Sequence, residues 1–381
     1  MKERAIPVMD EREFKAMMTR DPEALHRQPC IVTGYIERWP AFGEWQCLDH
    51  LRAKFGALAA FAKAPNFVTN TRASLVSVET TFEQYLDYIE HPERVEEIYR
   101  DCWLEGDHAS FEAQGLPLYC GTLRLVHAAT DPLFDLLAPL VPEPMQPLNA
   151  SLPYYYSLFN HLWLLVSLPG SLTPLHTDNN GTIALVSQLT GRKRAILYAP
   201  HDLPHVRNPK VGFMDPLSPD PVDHPTYRQA VRWTGDITPG MTLFIGTQWA
   251  HHVTTIEPSI SVSFDVVDAT NIDRYAASKD WARVFGERVA RQPAVAAKLG
   301  LDPEALVECD PVIVGRRAMQ AVLRASLAEP GLDAVHRQAR QRYLAGIPVE
   351  PVGPAVDARV SDSGRRSTNS GIECCPKRSW G

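Results

Sequence analysis

The sequence predicts a mainly β core, an antiparallel barrel or sandwich, with helical additions before and after it. Three observations carry this expectation. Between Pro169 and Val267, short apolar or alternating runs are separated by Gly/Pro turns, and no long helical period interrupts them. Ahead of that stretch, Asp10 to Met18 and Thr80 to Ile89 repeat apolar residues at helical spacing. After Asp268 the spacing turns helical again.

Residues 1–115 read as a mainly helical region packing on the barrel, with one strand near Cys30 to Thr33. Thr80 is placed to cap the second helix, with Glu83 three residues on. The proline-rich run from Ala138 to Pro153 reads as a connecting loop. Residues 116–270 form the barrel. Pro169-Gly170-Ser171 is a turn, Leu172 to Asp178 reads as a strand, and Ile183 to Leu189 as another. Gly191 leads through Arg192-Lys193-Arg194 into Ala195 to Tyr198. Pro239-Gly240 precedes a strand from Met241 to Ile245. Ser259 to Val267 is a further strand, in which Ser261, Ser263 and Asp265 alternate with apolar residues. Residues 271–350 are a C-terminal helical region, with helices from Tyr275 to Arg291, Arg316 to Leu327 and Leu332 to Leu344. Residues 351–381, rich in Ser, Arg, Gly and Pro, read as a disordered tail.

With 381 residues, 45% of them hydrophobic, the chain is long enough to bury a large core. Its net charge of −7 offers no global attraction to a phosphate backbone, so no nucleic-acid partner is expected. The start is charged (Lys2, Glu3, Arg4), no apolar run reaches membrane-spanning length, and the seven cysteines are odd in number and scattered. A cytoplasmic protein without membrane attachment is the expectation. The absence of a Gly-x-Ser-x-Gly elbow and of a phosphate loop disfavours hydrolases and nucleotide-dependent enzymes.

The chemistry concentrates in Thr173-Pro174-Leu175-His176-Thr177-Asp178 and Trp249-Ala250-His251-His252-Val253. His-x-Asp on an extended strand offers an imidazole and a carboxylate on one face. A histidine from a distant strand would complete a two-histidine, one-carboxylate set that leaves positions open on iron(II). His251 and His252 point to opposite faces, and the spacing alone leaves the choice between them open.

The ordered series of motifs is specific. It begins with Pro29-Cys30-Ile31-Val32-Thr33-Gly34, Trp39-Pro40-Ala41, Leu51-Arg52-Ala53-Lys54-Phe55-Gly56 and Thr81-Phe82-Glu83-Gln84-Tyr85-Leu86. It continues with Gly170 to Asp178, Gln188 to Arg194, Pro239-Gly240 to His251, and Ser259 to Phe264. Together these resemble the cupin-like, Jumonji-C branch of the iron(II)/2-oxoglutarate oxygenases, the group that contains factor inhibiting hypoxia-inducible factor. The resemblance implies a double-stranded β-helix (jelly-roll) barrel flanked by N-terminal and C-terminal helices. It implies iron(II) held by His176, Asp178 and His251, with 2-oxoglutarate as cosubstrate and dioxygen as oxidant. Lys193, Thr173 and Tyr119 correspond to the residues holding the distal carboxylate of 2-oxoglutarate. Alternation sets Arg192 and Arg194 on the face opposite Lys193.

The implied reaction hydroxylates an unactivated C–H bond of a protein or peptide side chain or a small metabolite, releasing succinate and carbon dioxide. A non-catalytic cupin-like binding protein, or a metal-dependent cupin enzyme that does not use 2-oxoglutarate, are the alternative readings. The chain departs from the family pattern at Met241, Gly246 and Ala250, and in a longer loop through Asn179-Asn180-Gly181, where Asn180 or Thr182 is placed to stand in for a family asparagine near the metal. The resemblance also implies a homodimer through the C-terminal helices, where Met319, Val322 and Leu323, and Leu332, Val335 and Ala339, recur at helical spacing.

Overall fold

A computed structural model of the chain describes residues 2–63, 77–95, 97, 119–124, 162–178, 181–266, 270–290, 293–298, 300–306, 309–328, 330–331 and 334–348. The proline-rich run 138–153, the tail 351–381 and the pair Asn179-Asn180 lie outside these residues.

The strands are β1 (Lys2–Ala5), β2 (Val8–Asp10), β3 (Cys30–Thr33), β4 (Ala59–Lys63), β5 (Ser77–Thr81), β6 (Tyr119–Arg124), β7 (Leu162–Ser167) and β8 (Leu172–His176). They continue as β9 (Ile183–Thr190), β10 (Lys193–Tyr198), β11 (Arg207–Asn208), β12 (Gly212–Phe213), β13 (Val231–Ile237), β14 (Thr242–Ile245), β15 (Ala250–Thr255) and β16 (Ser259–Val266). Helices α1 (Glu11–Arg20), α2 (Ala24–Arg27), α3 (Pro40–Glu44), α4 (Leu48–Phe55) and α5 (Phe82–Glu90) precede the barrel, and α6 (Leu203–Val206) interrupts it. After it come α7 (Ile272–Ala277), α8 (Lys279–Ala290), α9 (Pro293–Lys298), α10 (Pro303–Leu306), α11 (Pro311–Leu327) and α12 (Ala334–Gly346).

Two sheets face one another as a jelly roll. The smaller runs β1-β13-β10-β15-β8, the larger β2-β3-β14-β9-β16-β7-β6-β4-β5. All pairings are antiparallel except β1 with β13 and β2 with β3. Strand alternation divides the buried residues between the barrel interior and its outer surface. Ala184, Val186, Leu243 and Ile245 of the larger sheet pack inward against Ala195, Leu197 and Trp233 of the smaller. Their neighbours Ile183, Leu185, Leu189, Phe244 and Val262 point outward, beneath Phe14, Met18, Trp45, Phe55 and Tyr85 of the N-terminal region. The rings of Phe14 and Phe244 lie 4.5 Å apart, so α1 is seated directly on β14.

The N-terminal region contains more strand than its sequence suggests. Besides β3, it supplies β1, β2, β4 and β5. β1 is exposed along its whole length and pairs parallel with β13, so it carries no apolar alternation to announce it. Helix α1 starts at Asp10, whose side chain accepts from Glu13 N while Glu13 returns a carboxylate to Asp10 N. The cap of α5 is Thr81 rather than Thr80. Thr81 Oγ1 accepts from Gln84 N, and Gln84 Oε1 accepts from Thr81 N. Thr80 Oγ1 also donates to that oxygen, from one residue further back along β5.

β7 and β13 had no distinct sequence signal. β7 is central and reads LWLLVS, an apolar run whose period is ambiguous; in β13 the β-former pattern of the sequence is interrupted by Gly235. The C-terminal helices form their own core of Tyr275, Phe285, Val289, Val314, Met319, Leu323 and Tyr343. Met319 and Leu323, expected at a dimer face, are therefore consumed inside the chain; the side chains of Val322, Val335 and Ala339, and all of Leu332, lie outside the described set.

Candidate metal centre

His176 closes β8, Asp178 follows two residues on, and His251 lies near the start of β15. His176 and His251 pair directly across the two strands, with ring centroids 4.2 Å apart. Each ring donates from Nδ1 to the carbonyl two residues earlier, His176 to Pro174 O at 2.8 Å and His251 to Trp249 O at 3.1 Å. A carbonyl only accepts, so each Nδ1 carries the proton and each Nε2 presents a lone pair. The Nε2 atoms lie 3.7 Å and 4.0 Å from the two oxygens of Asp178, and one ligand atom from each of the three residues falls within 4.8 Å of the others. Burial, reinforced by His251, pushes His176 down to about 4, so it is neutral at physiological pH, as metal binding requires. Two neutral nitrogens and one carboxylate converging from one side suit iron(II) with open positions.

His252 faces the opposite side of β15. Its Nε2 pairs with Thr254 Oγ1 at 2.8 Å, and it takes no part in the cluster. Structure thus separates the adjacent histidines that spacing alone could not.

Thr173 and His176 are three residues apart, and on a regular strand they would point to opposite faces. A bulge corrects this. His176 pairs with His251 and Thr173 with Val253, so three residues on β8 span two on β15. Residues directly opposite share a face, and His251 and Val253 share one by alternation. Thr173 therefore joins His176 on the interior side.

The register carries the same face onto β10. Leu197 pairs with His251, Ala195 with Val253, and Lys193 with Thr255. Lys193 is thus on the metal's face, four residues deeper, about 13 Å along the strand. It is 2% exposed, and burial pushes its ammonium down to about 7. Arg194, on the outer face, forms a bidentate pair with Asp236, and Arg192 reaches Asp236 and Glu257. Neither competes for the interior.

The deep end of the barrel is polar. Thr255 Oγ1 and Ser167 Oγ are hydrogen-bonded at 2.8 Å, joining the two sheets at the level of Lys193. Ser167 pairs with both Ser259 and Tyr119, so the backbone places Tyr119 at the same level. Gln188 donates to Ser259 Oγ at 2.9 Å and accepts from Ser261 Oγ at 2.8 Å. Sequence reading did not single out Thr255, Ser167 or Gln188. The alternation of small polar residues along Ser259, Ser261 and Ser263 was the available signal.

The departures from the family pattern have local causes. A Cβ on Gly246 would lie 2.1 Å from Leu25 O, so only glycine permits the loop's approach to α2. Ala250 is fully buried among Leu175, Tyr198 and Val206, which leaves no volume for an indole. Thr182 donates to Asp265 Oδ1 at 3.3 Å near the barrel mouth. Of the other histidines, His205 pairs with Thr226 and His224 with Gly212 O, away from the cluster.

The cupin-like domain family matches residues 23–264. HSPB1-associated protein 1 of Homo sapiens is 26% identical over 269 residues, 67% of this chain and 50% of that protein. Lysine-specific demethylase JMJ21 of Arabidopsis thaliana is 24% identical over 264 residues, 64% of this chain and 24% of that protein. tRNA wybutosine-synthesizing protein 5 of Gallus gallus is 33% identical over 78 residues, 20% of this chain and 24% of that protein. The chain spans about half the length of the HSPB1-associated proteins it matches. These relatives are of the Jumonji-C type. A matched segment running through the barrel and both halves of the histidine–aspartate cluster places the chain in the cupin-like domain family.

Proposed function

We propose that the chain is an iron(II)- and 2-oxoglutarate-dependent oxygenase that hydroxylates a C–H bond of a protein or peptide side chain or of a small metabolite. The carrying observation is the shared face. His176, Asp178 and His251 gather at one level of the barrel, and a buried ammonium, Lys193, lies on the same face at the deep end. That spacing suits a short dicarboxylate with one end at the metal and the other at Lys193. Iron(II) would supply activation of dioxygen, coupled to decarboxylation of the cosubstrate. His176 and His251 hold their Nε2 atoms inward through Nδ1 bonds to carbonyls, and Asp178 neutralises one charge of the cation. Lys193 pairs with the distal carboxylate, with Thr173 on that face as a further partner and Tyr119 the proposed third, its backbone lying at the same level. Burial of the lysine keeps bulk water from screening the pair.

Among the described residues no helix is long and apolar enough to cross a membrane. The test is iron-dependent conversion of 2-oxoglutarate to succinate by the purified chain. Succinate should form with iron(II) and vanish in His176→Ala. Equal succinate in that variant and its parent would overturn the assignment.

A further inference from the structure

The loop 246–249 delivers His251 to the cluster, and its own conformation is held from outside the barrel. Its backbone is constrained: Gln248 has a φ of 63°, in the left-handed region that a non-glycine residue seldom adopts. Such a conformation persists only where its surroundings over-determine it. Here the surroundings are α2, from the N-terminal region, and α7, from the C-terminal one.

His26 in α2 makes most of the contacts. Its Nδ1 lies 3.3 Å from Thr247 N and 3.0 Å from Thr247 Oγ1, and its Nε2 lies 2.7 Å from Thr270 Oγ1. Its backbone carbonyl accepts from Trp249 Nε1 at 3.0 Å. Arg274, in α7, donates from Nη1 to Thr247 Oγ1 at 2.8 Å. One assignment of hydrogens satisfies every bond. The Thr247 amide can only donate, so Nδ1 is the acceptor and the proton sits on Nε2, which donates to Thr270. Thr247 Oγ1 accepts from Arg274 and donates its own hydrogen to Nδ1.

The link to the metal runs through Trp249. Its indole is tied to His26 O, and its carbonyl receives the Nδ1 proton of His251. The atom that fixes the tautomer of His251 is therefore held by the residue that His26 grips. The geometry points to His26 as a positioning residue for the metal centre: its neutral, Nε2-protonated imidazole locks loop 246–249 so that Trp249 O aims His251 Nε2 at the cluster. This inference rests on the metal-site reading above, and one arm of its test does not depend on it.

The experiment compares the full-length parent with His26→Ala, His26→Asn and Phe14→Ala. Asparagine offers an amide oxygen near the position of Nδ1 and can still accept from Thr247 N. Phe14→Ala destabilises the packing of α1 without touching the loop's hydrogen bonds, so it reports what loss of stability alone does. Cobalt(II), a spectroscopically visible stand-in for iron(II), is titrated into each protein. His26→Ala should bind it on the order of tenfold more weakly, the usual cost of losing an outer-shell partner, with altered visible bands. His26→Asn should recover most of that loss, and Phe14→Ala should bind as the parent does. Amide hydrogen exchange of the metal-free proteins forms the second arm. Exchange across 247–251 should accelerate in His26→Ala and stay near the parent rate in His26→Asn.

Unchanged cobalt affinity in His26→Ala, equal weakening in Phe14→Ala, or no recovery in His26→Asn would each overturn the positioning role. A parent that binds no cobalt would sink the metal-site reading together with the link to His251. Unchanged exchange in His26→Ala would overturn the loop clamp itself.

Discussion

The burial of Lys193 makes its charge expensive, and that expense is measurable. Its ammonium is pushed from an ordinary 10.5 down to about 7 by burial. At 1.36 kcal/mol per unit, protonating it inside the folded protein costs about 5 kcal/mol more than in the unfolded chain. The sign follows from proton counting. Between about pH 7 and 10.5 the unfolded chain binds more protons at this site, so stability rises with pH across that window, and the full penalty applies below pH 7. A bound dicarboxylate offsets the penalty by pairing with the ammonium.

Replacing the lysine with methionine, similar in length and uncharged, should therefore do two opposite things. Lys193→Met should stabilise the cosubstrate-free protein at pH 7, by a few kcal/mol at most. It should also weaken 2-oxoglutarate on the order of a hundredfold or more, because the carboxylate would be desolvated without a counter-charge. In the parent, affinity should be greatest below pH 7 and fall about tenfold per pH unit above it, as the ammonium of the cosubstrate-free protein loses its proton. The methionine variant should lack that slope. The assay is anaerobic calorimetry of 2-oxoglutarate binding to manganese(II)-loaded protein from pH 6 to 9, beside thermal unfolding of each chain. A parental pH slope surviving in Lys193→Met, or equal affinity in the two proteins, would refute the argument.

His176→Ala, Asp178→Ala and His251→Ala should each abolish metal binding, whereas His252→Ala should retain it, as read by cobalt(II) titration; loss of metal only in the His252 variant would reverse the assignment. Phe14→Ala removes a ring seated 4.5 Å from Phe244 and should cost about 3–5 kcal/mol by urea unfolding, with the denaturant slope unchanged. We propose a homodimer through faces of the C-terminal helices other than the buried Met319 and Leu323. Light scattering should then give twice the chain mass, and a value near 42.5 kDa would reject it. Removing residues after Pro351, which have little apolar content, should leave the oligomeric state and metal binding as in the full chain.

The sequence by itself determined the parts whose signal is local. Gly/Pro turns bracket β8, β9, β14 and β16 because a turn's conformation is fixed by its own residues. His-x-Asp sits on a strand end, and the capping box at Asp10 is written in four consecutive positions. Where a signal was shared between neighbours, residue type and spacing alone could not choose: Thr80 and Thr81 are equally good caps by type, and His251 and His252 equally good ligands until the family resemblance is added. The fold decided both: α5 begins at Phe82, which makes Thr81 the N-cap, and cross-strand pairing sets His251 opposite His176. β1 and β2 were invisible because edge strands gain their order from a partner's backbone rather than from side-chain alternation. The three-residue spacing of Thr173 and His176 argues, taken alone, against a common face; only the bulge opposite Val253 reconciles them. The grip of His26 on Thr247 joins residues 221 positions apart, and no local pattern anticipates it. Spacing fixes which groups a strand can present, but which of them meet depends on register, and register is a property of two strands at once.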